Sequence, residues 1–259
     1  MVITITGIVA GIVAMFIRRP VEAYVDTARR AALTDAADTA SRFMSRELQG
    51  ALPNSVWVDG TGSFMEFVPI RTAGRYRADV GDTADLLDFT NAADSSFDVL
   101  GPPVTVGANE SLVVYNLGIA GASVYDTGPL TVRRAAIATA GAVNNLSFTP
   151  IATALPFPSP GSRFQIVGTP ISYACDLGTG TLWRYSNYGF QPGHPASLAV
   201  LNGFAGVTRS VLATNVAPCN FAYGPGALQR FGLVSILLSI ATAGETVTLQ
   251  QQVNVDNVP

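Results

Sequence analysis

The chain has 259 residues, enough for one sizeable domain or two small ones. Hydrophobic residues make up 48% and charged residues 13%, which excludes a disordered chain. The net charge of −3 argues against a dedicated nucleic-acid binder, whose domain is usually basic. All fifteen cationic residues are arginine, which we read as composition bias rather than chemistry.

The first seventeen residues, Met1 to Ile17, carry no charge. As a helix they would rise about 25 Å, slightly short of the ~30 Å hydrocarbon core of a bilayer. A removable signal peptide would need a basic start and a small-residue cleavage motif, and neither stands out. Arg18 and Arg19 follow the apolar run, and the positive-inside rule would place everything after them in the cytoplasm. A basic leader upstream would reverse that bias, so the natural chain is expected to begin before Met1. Gly7 and Gly11 form a small-xxx-small pair, which permits close approach of two helices.

Beyond the arginines, Val21, Tyr24, Val25, Ala28, Ala32, Ala36, Ala40, Phe43, Met44, Leu48 and Leu52 recur every three or four residues. Charged residues from Glu22 to Glu47 fill the gaps, so the spacing predicts an amphipathic helix. Pro53 ends it, because the residue before a proline avoids helical angles. Pro20 lies inside the helix and is expected to bend it.

From Ser55 onward the sequence reads as short strands separated by Gly, Pro, Asn and Asp. Ser55–Val58 and Ser63–Val68 flank a Gly60-Thr61-Gly62 turn, a hairpin signal. Further strands are expected at Ser111–Leu117, Leu130–Ile137, Arg163–Val167, Ile171–Cys175 and Thr181–Tyr185. Glu245–Val255 alternates apolar and polar residues and should pair with Leu233–Ile240. The proline-rich stretch 155–161 is expected to be a loop. The expected class is therefore α+β: one long N-terminal helix packed on antiparallel sheet through the stripe from Tyr24 to Leu52. The boundaries that follow are 1–20 for a membrane or stalk helix, 21–53 for the amphipathic helix and 54–259 for a β-rich head.

Cys175 and Cys219 both lie in the C-terminal third. In an exported domain they would form a disulfide, and in a cytosolic one they would be two separate buried thiols. His194, the single histidine, sits in Gln191-Pro192-Gly193-His194-Pro195 and reads as an exposed loop residue, with no second histidine to build a metal site or triad. No nucleophile elbow, P-loop or dinucleotide fingerprint occurs. Asp79, Asp82, Asp85 and Asp88 are spaced like a capped short helix rather than a calcium loop. Arg71, Arg75 and Arg77 read as a solvated loop or subunit contact rather than a nucleic-acid patch. No catalytic residue, cofactor or metal is expected, and the chain does not read as an enzyme.

The uncharged ITITGIVAGIVAMFIRRPVEAY, running into VEAYVDTARRAALTDAADTASRFMSRELQGALPNSV, resembles the N-terminus of type IV pilins and type II secretion pseudopilins. With ISYACDLGTGTLWRY and the terminal VNVDNVP, the likeness is strongest to minor pilins of MSHA (mannose-sensitive haemagglutinin) pilus biogenesis, of the MshO type. ADLLDFTN followed by ISYACDLGTGTLWR is also similar to the J-type minor pseudopilin. In that family a prepilin peptidase cuts after a leader glycine and methylates the new N-terminus, and a glutamate follows a few residues on. That glutamate would fall just before Met1, so an internal start or a shortened chain is expected.

The resemblance implies a pilin-like fold and a minor pilin acting in the initiation and assembly of an MSHA-like pilus. It assigns helix packing and assembly to Gly7, Gly11, Pro20 and Tyr24, and implies a Cys175–Cys219 disulfide. Implied partners are other minor pilins, the major pilin, the inner-membrane assembly platform and, for the precursor, the prepilin peptidase. Nucleic acid is not expected. The implied location is the inner membrane with a periplasmic head, then the pilus. The alternatives are a type II secretion pseudopilin and a membrane-anchored surface module that binds carbohydrate, DNA or a cation.

Overall fold

A computed structural model describes residues 2–79, 85–225 and 231–259. Helix α1, Val2–Gln49, comes first. It stops in a tightened turn, where the N–H groups of Gly50 and Ala51 donate to the carbonyls of Glu47 and Leu48 at 3.1 and 3.0 Å. Pro53 follows, and Asn54 adopts a left-handed φ of 59°. The Asn54 amide then donates to the carbonyls of Asn116 and Asn257, while buried Asn116 donates to the carbonyl of Pro53 at 2.6 Å. These bonds pin the helix exit to a central loop and to the C-terminus.

Seven strands follow: β1 (Trp57–Val58), β2 (Phe64–Phe67), β3 (Ile70–Tyr76), β4 (Ser96–Leu100), β5 (Ser111–Val113), β6 (Arg133–Ala135) and β7 (Asn145–Ser147). Next come β8 (Arg163–Val167), β9 (Ile171–Asp176), β10 (Thr181–Ser186) and a short helix α2 (Leu198–Gly203). The chain closes with β11 (Thr208–Thr214), β12 (Val216–Pro225), β13 (Phe231–Thr242) and β14 (Glu245–Asp256). They form a five-stranded sheet β1-β2-β9-β10-β11, a three-stranded sheet β12-β13-β14 and a six-stranded sheet β6-β5-β8-β3-β4-β7.

The expected α+β, pilin-like class is corrected. The fold is mostly β, with fourteen strands against two helices among the described residues, and no long apolar helix packs on a sheet. The described apolar residues 2–13 are all exposed, and helix burial begins at Leu33 rather than Tyr24, which stays 76% exposed. The reason is the reach of the sheet. Arg30 pairs with Glu245 at 3.1 Å, and Glu245 opens β14 at the tip of the β13–β14 hairpin. N-terminal to that point the helix has outrun the strands. C-terminal to it, Leu33, Ala37, Ala40, Met44 and Leu48 are buried at the three- and four-residue spacing of one helix face. The two alanines leave room for close backbone approach.

That face closes a core between two sheets. Met65, Phe67, Tyr173 and Leu182 come from the five-stranded sheet, and Phe221, Val234, Ile236, Leu238 and Val253 from the three-stranded one. A second core, with Phe97, Leu112, Phe164 and Ile166, belongs to the six-stranded sheet. At Gly74 a Cβ would meet the Phe164 ring at 2.8 Å, so this strand position needs glycine.

The β13–β14 hairpin follows its expected pairing and extends it, from Phe231↔Asp256 to Thr242↔Glu245. Its two turn residues, Ala243 and Gly244, have φ of 49° and 83°, the positive pair that matches strand twist in a two-residue hairpin. β12 was not expected. Pro218 sits in its register shift between Val216 and Cys219, the bulge position a strand proline requires.

Cys175 of β9 and Cys219 of β12 are joined by a disulfide with a Cα–Cα distance of 6.1 Å, so the bond ties the five-stranded sheet to the three-stranded one. Closing a loop of 44 residues constrains the unfolded chain by about 4 kcal/mol in the chain-entropy model. Replacing both cysteines by alanine should therefore lower stability by about that amount, read as a lower denaturant midpoint. An unchanged midpoint would show that the bond contributes nothing to the fold.

Candidate functional site

Two groups of residues stand out: the free end of α1, and a buried carboxylate beneath the only histidine. In the first, Val2, Ile3, Ile5, Ile8, Val9, Ile12 and Val13 are between 48% and 88% exposed, and none joins a core cluster among the described residues. Gly7 and Gly11 lie on the same stretch with no atom within 4 Å of where a Cβ would stand. Helical assignment runs through Pro20, and Tyr24 projects into solvent beyond it. The expected membrane span over 1–20 is not found: among the described residues no helix is long and apolar enough to cross a membrane.

The other end of α1 is fastened. Glu47 takes two bonds from the Arg184 guanidinium on β10, at 3.0 and 2.8 Å, and a third from the Tyr173 hydroxyl on β9. Burial, and then the bond to Glu47, push the Tyr173 phenol up, so it remains a neutral donor. A bidentate arginine fixes orientation as well as distance. The direction in which the apolar end leaves the body is therefore set by the head.

The second group corrects the reading of His194 as an exposed loop residue. Its Nδ1 lies 2.8 Å from Oε1 of Glu66, a β2 residue only 2% exposed. The imidazole stacks on Trp57 at 4.5 Å with 8° between planes, and Tyr125 meets it edge-on at 4.4 Å. The other Glu66 oxygen accepts from Tyr188 at 2.8 Å and from Ser172 at 3.3 Å, and those two hydroxyls lie 2.6 Å apart. Burial first, and the Glu66 charge second, push both the Tyr188 and Tyr125 phenols up. Tyr125 donates to the carbonyl of Ser55. With its oxygens occupied by these donors, the carboxylate serves to hold the segment 187–194 against β1 and β2. The sequence carried one sign of this: Glu66 is a lone acid between Met65 and Phe67, both fully buried.

The remaining expectations resolve as structure. Asp82 lies outside the described residues. Asp85 and Asp88 are in loop rather than in the expected short helix. Asp85 accepts from Ser96 and Asn145, and Asp88 from Thr90. Among the described residues no group of three or more metal-ligating side chains occurs. Arg71 and Arg75 lie on strand β3 and not in a loop. Arg75 donates to the carbonyl of Gly161, Arg77 reaches Asp98 at 3.4 Å, and Arg71 stands 3.9 Å from Glu110. No protein-family model, no curated protein and no solved structure matches the chain.

Removing the buried carboxylate with Glu66→Ala should cost about 3 kcal/mol, since it strands the Tyr188 and Ser172 hydroxyls and the imidazole. Limited proteolysis should then open the segment 187–194 first; unaltered cleavage would show that Glu66 does not hold it. Acid should also weaken the fold. The Asn145 amide, then the Asp85 N–H, hold Asp98 below the usual carboxylate range, and the Thr179 hydroxyl does so for Asp176. Stability from depressed carboxylates is complete above their unfolded range near pH 4 and disappears as pH falls through the lower folded values. The denaturant midpoint should thus drop between about pH 5 and about pH 3, and less in an Asp98→Asn, Asp176→Asn variant.

Proposed function

We propose that this protein is a structural assembly subunit of the minor-pilin kind, which enters or primes an MSHA-like type IV pilus through its N-terminal helix. The exposed apolar end of α1 is the observation that carries this reading. Seven large aliphatic side chains on one uncharged helical stretch stay exposed, with no burial partner among the described residues. A contiguous apolar surface of that kind marks an interaction site.

The energetics favour several partners over one. Burying seven such side chains at roughly 1.5–2 kcal/mol each releases on the order of 10 kcal/mol. Association costs roughly 4–15 kcal/mol in lost freedom. A single pairwise contact covers one face and is marginal; a bundle covers all faces. Gly7 and Gly11 are the positions where a neighbouring helix can come closest.

In this reading the stem is held by lipid in the inner membrane, with the head in the periplasm, until it exchanges lipid for the stems of the major pilin and other minor pilins at the assembly platform. The Cys175–Cys219 bond suits that oxidising compartment. The prepilin peptidase is the implied partner of the precursor.

Expression of an Ile5→Asp, Ile12→Asp variant in a strain lacking the gene tests it. Surface filaments should fall to the level of the deletion strain, while the purified variant keeps the wild-type unfolding transition of its head. Filament numbers equal to wild type, in either the deletion strain or the variant, would contradict the reading.

A further inference from the structure

A cleft of about 650 Å³ lies between the six-stranded sheet and the segment that follows β10. Arg71, Arg133, Glu110, Asn109, Ser111 and Asn187 line it. Its outer wall is the stretch containing Tyr188 and Phe190, which Glu66 fastens through the Tyr188 hydroxyl. The cleft is thus bounded by sheet on one side and a tethered segment on the other.

The charges in this cleft do not balance. The Arg133 guanidinium lies over the Phe190 ring at 4.0 Å, and its Nε donates to the carbonyl of Val124 at 3.1 Å. Among the described residues no carboxylate pairs with it. Burial pulls Arg133 down, the mark of a cation stripped of water without an anion in return. Its neighbour Arg134 is buried as well and is held only by the carbonyls of Thr131, Arg133 and Thr153. Among the described residues Glu110 is the one acid in the lining. It stands 3.9 Å from Arg71, the outer limit of an ion pair, and its second oxygen is taken by the N–H of Gly107 at 2.7 Å. Two cleft arginines therefore face one acid, in a chain whose net charge is −3.

The geometry points to a binding site for a monoanionic, carboxylate-bearing sugar, with its carboxylate on Arg133 and Arg71. Guanidinium forks match a carboxylate with paired, charge-assisted bonds. The excess of one positive charge over Glu110 suits a single negative charge better than the two of a phosphate dianion. The other polar groups of the lining, Asn109, Ser111 and Asn187, are neutral amides and a hydroxyl, the partners that sugar hydroxyls require. The site lies in the head and does not depend on the assembly reading.

Calorimetric titration of the full chain in a non-sugar, non-ionic detergent tests the assignment, with glucuronate as probe. Its methyl ester keeps the shape without the charge, and inorganic phosphate supplies charge without the sugar. Glucuronate should bind at least tenfold tighter than either. Arg133→Gln should weaken it at least tenfold and Arg71→Gln severalfold, with the unfolding transition retained. Should Arg133→Gln fail to fold, the exposed Arg71 variant and the ester comparison still decide. Equal affinity for acid and ester, tighter binding of phosphate, no glucuronate binding at millimolar concentration, or an affinity untouched by Arg71→Gln would each overturn the proposal.

Discussion

One helix is held at one end and bare at the other, and the rest of the structure depends on that asymmetry. Leu33, Ala37, Ala40, Met44 and Leu48 are buried between two sheets, and Glu47 is gripped by Arg184 and Tyr173. Helical conformation runs from Val2 to Gln49, with Pro20 the one position that has no backbone N–H to donate. A helix so continued cannot fold its free end back onto its own head without breaking backbone bonds, each of which would need a new partner. The head therefore leaves the apolar stretch exposed, and in the proposed reading lipid or the stems of other chains cover it. Fastening and exposure are two consequences of one continuous element.

The head is arranged to bear that load. The fastened half of α1 contributes to the same core as the five-stranded and three-stranded sheets, and the Cys175–Cys219 bond crosses between those two sheets. Asn54 and Asn116 fix the helix exit, and the Asn257 carbonyl brings the C-terminus to the same place. The six-stranded sheet has an aromatic core of Phe97, Phe148 and Phe164, and it meets the helix exit where Leu52 clusters with Val113 and Val167.

Legibility in the sequence followed the strength of the local signal. β14 alternates cleanly, and β8, β9 and β10 are compact runs near turn residues, so their positions could be read directly. β3 could not: Ile70–Tyr76 has an alternating half-exposed pattern with two arginines and a glycine, and it reads as loop until β8 and β4 pair with it. β12 was hidden by Pro218, whose bulge is tertiary information. Periodicity located the amphipathic helix but placed its buried face too early and one residue off, on exposed Ala32 and Ala36 rather than buried Leu33 and Ala37, because where the sheet lies is not written in the helix. The free end was legible as uncharged, but the membrane span expected of it is not found among the described residues. His194 was misread because its partner Glu66 is 128 residues away, and only the pairing of β2 with β9 brings Ser172, Tyr188 and the imidazole around that carboxylate.

The central claim is that the bare end of α1 is satisfied by the stems of other subunits. A photo-crosslinking amino acid at Ile8, in cells bearing filaments, tests it most directly. The account predicts adducts whose partner peptides are the N-terminal helices of other pilus subunits. Adducts confined to the protein's own head, or assembled filaments with no adduct at that position, would contradict it.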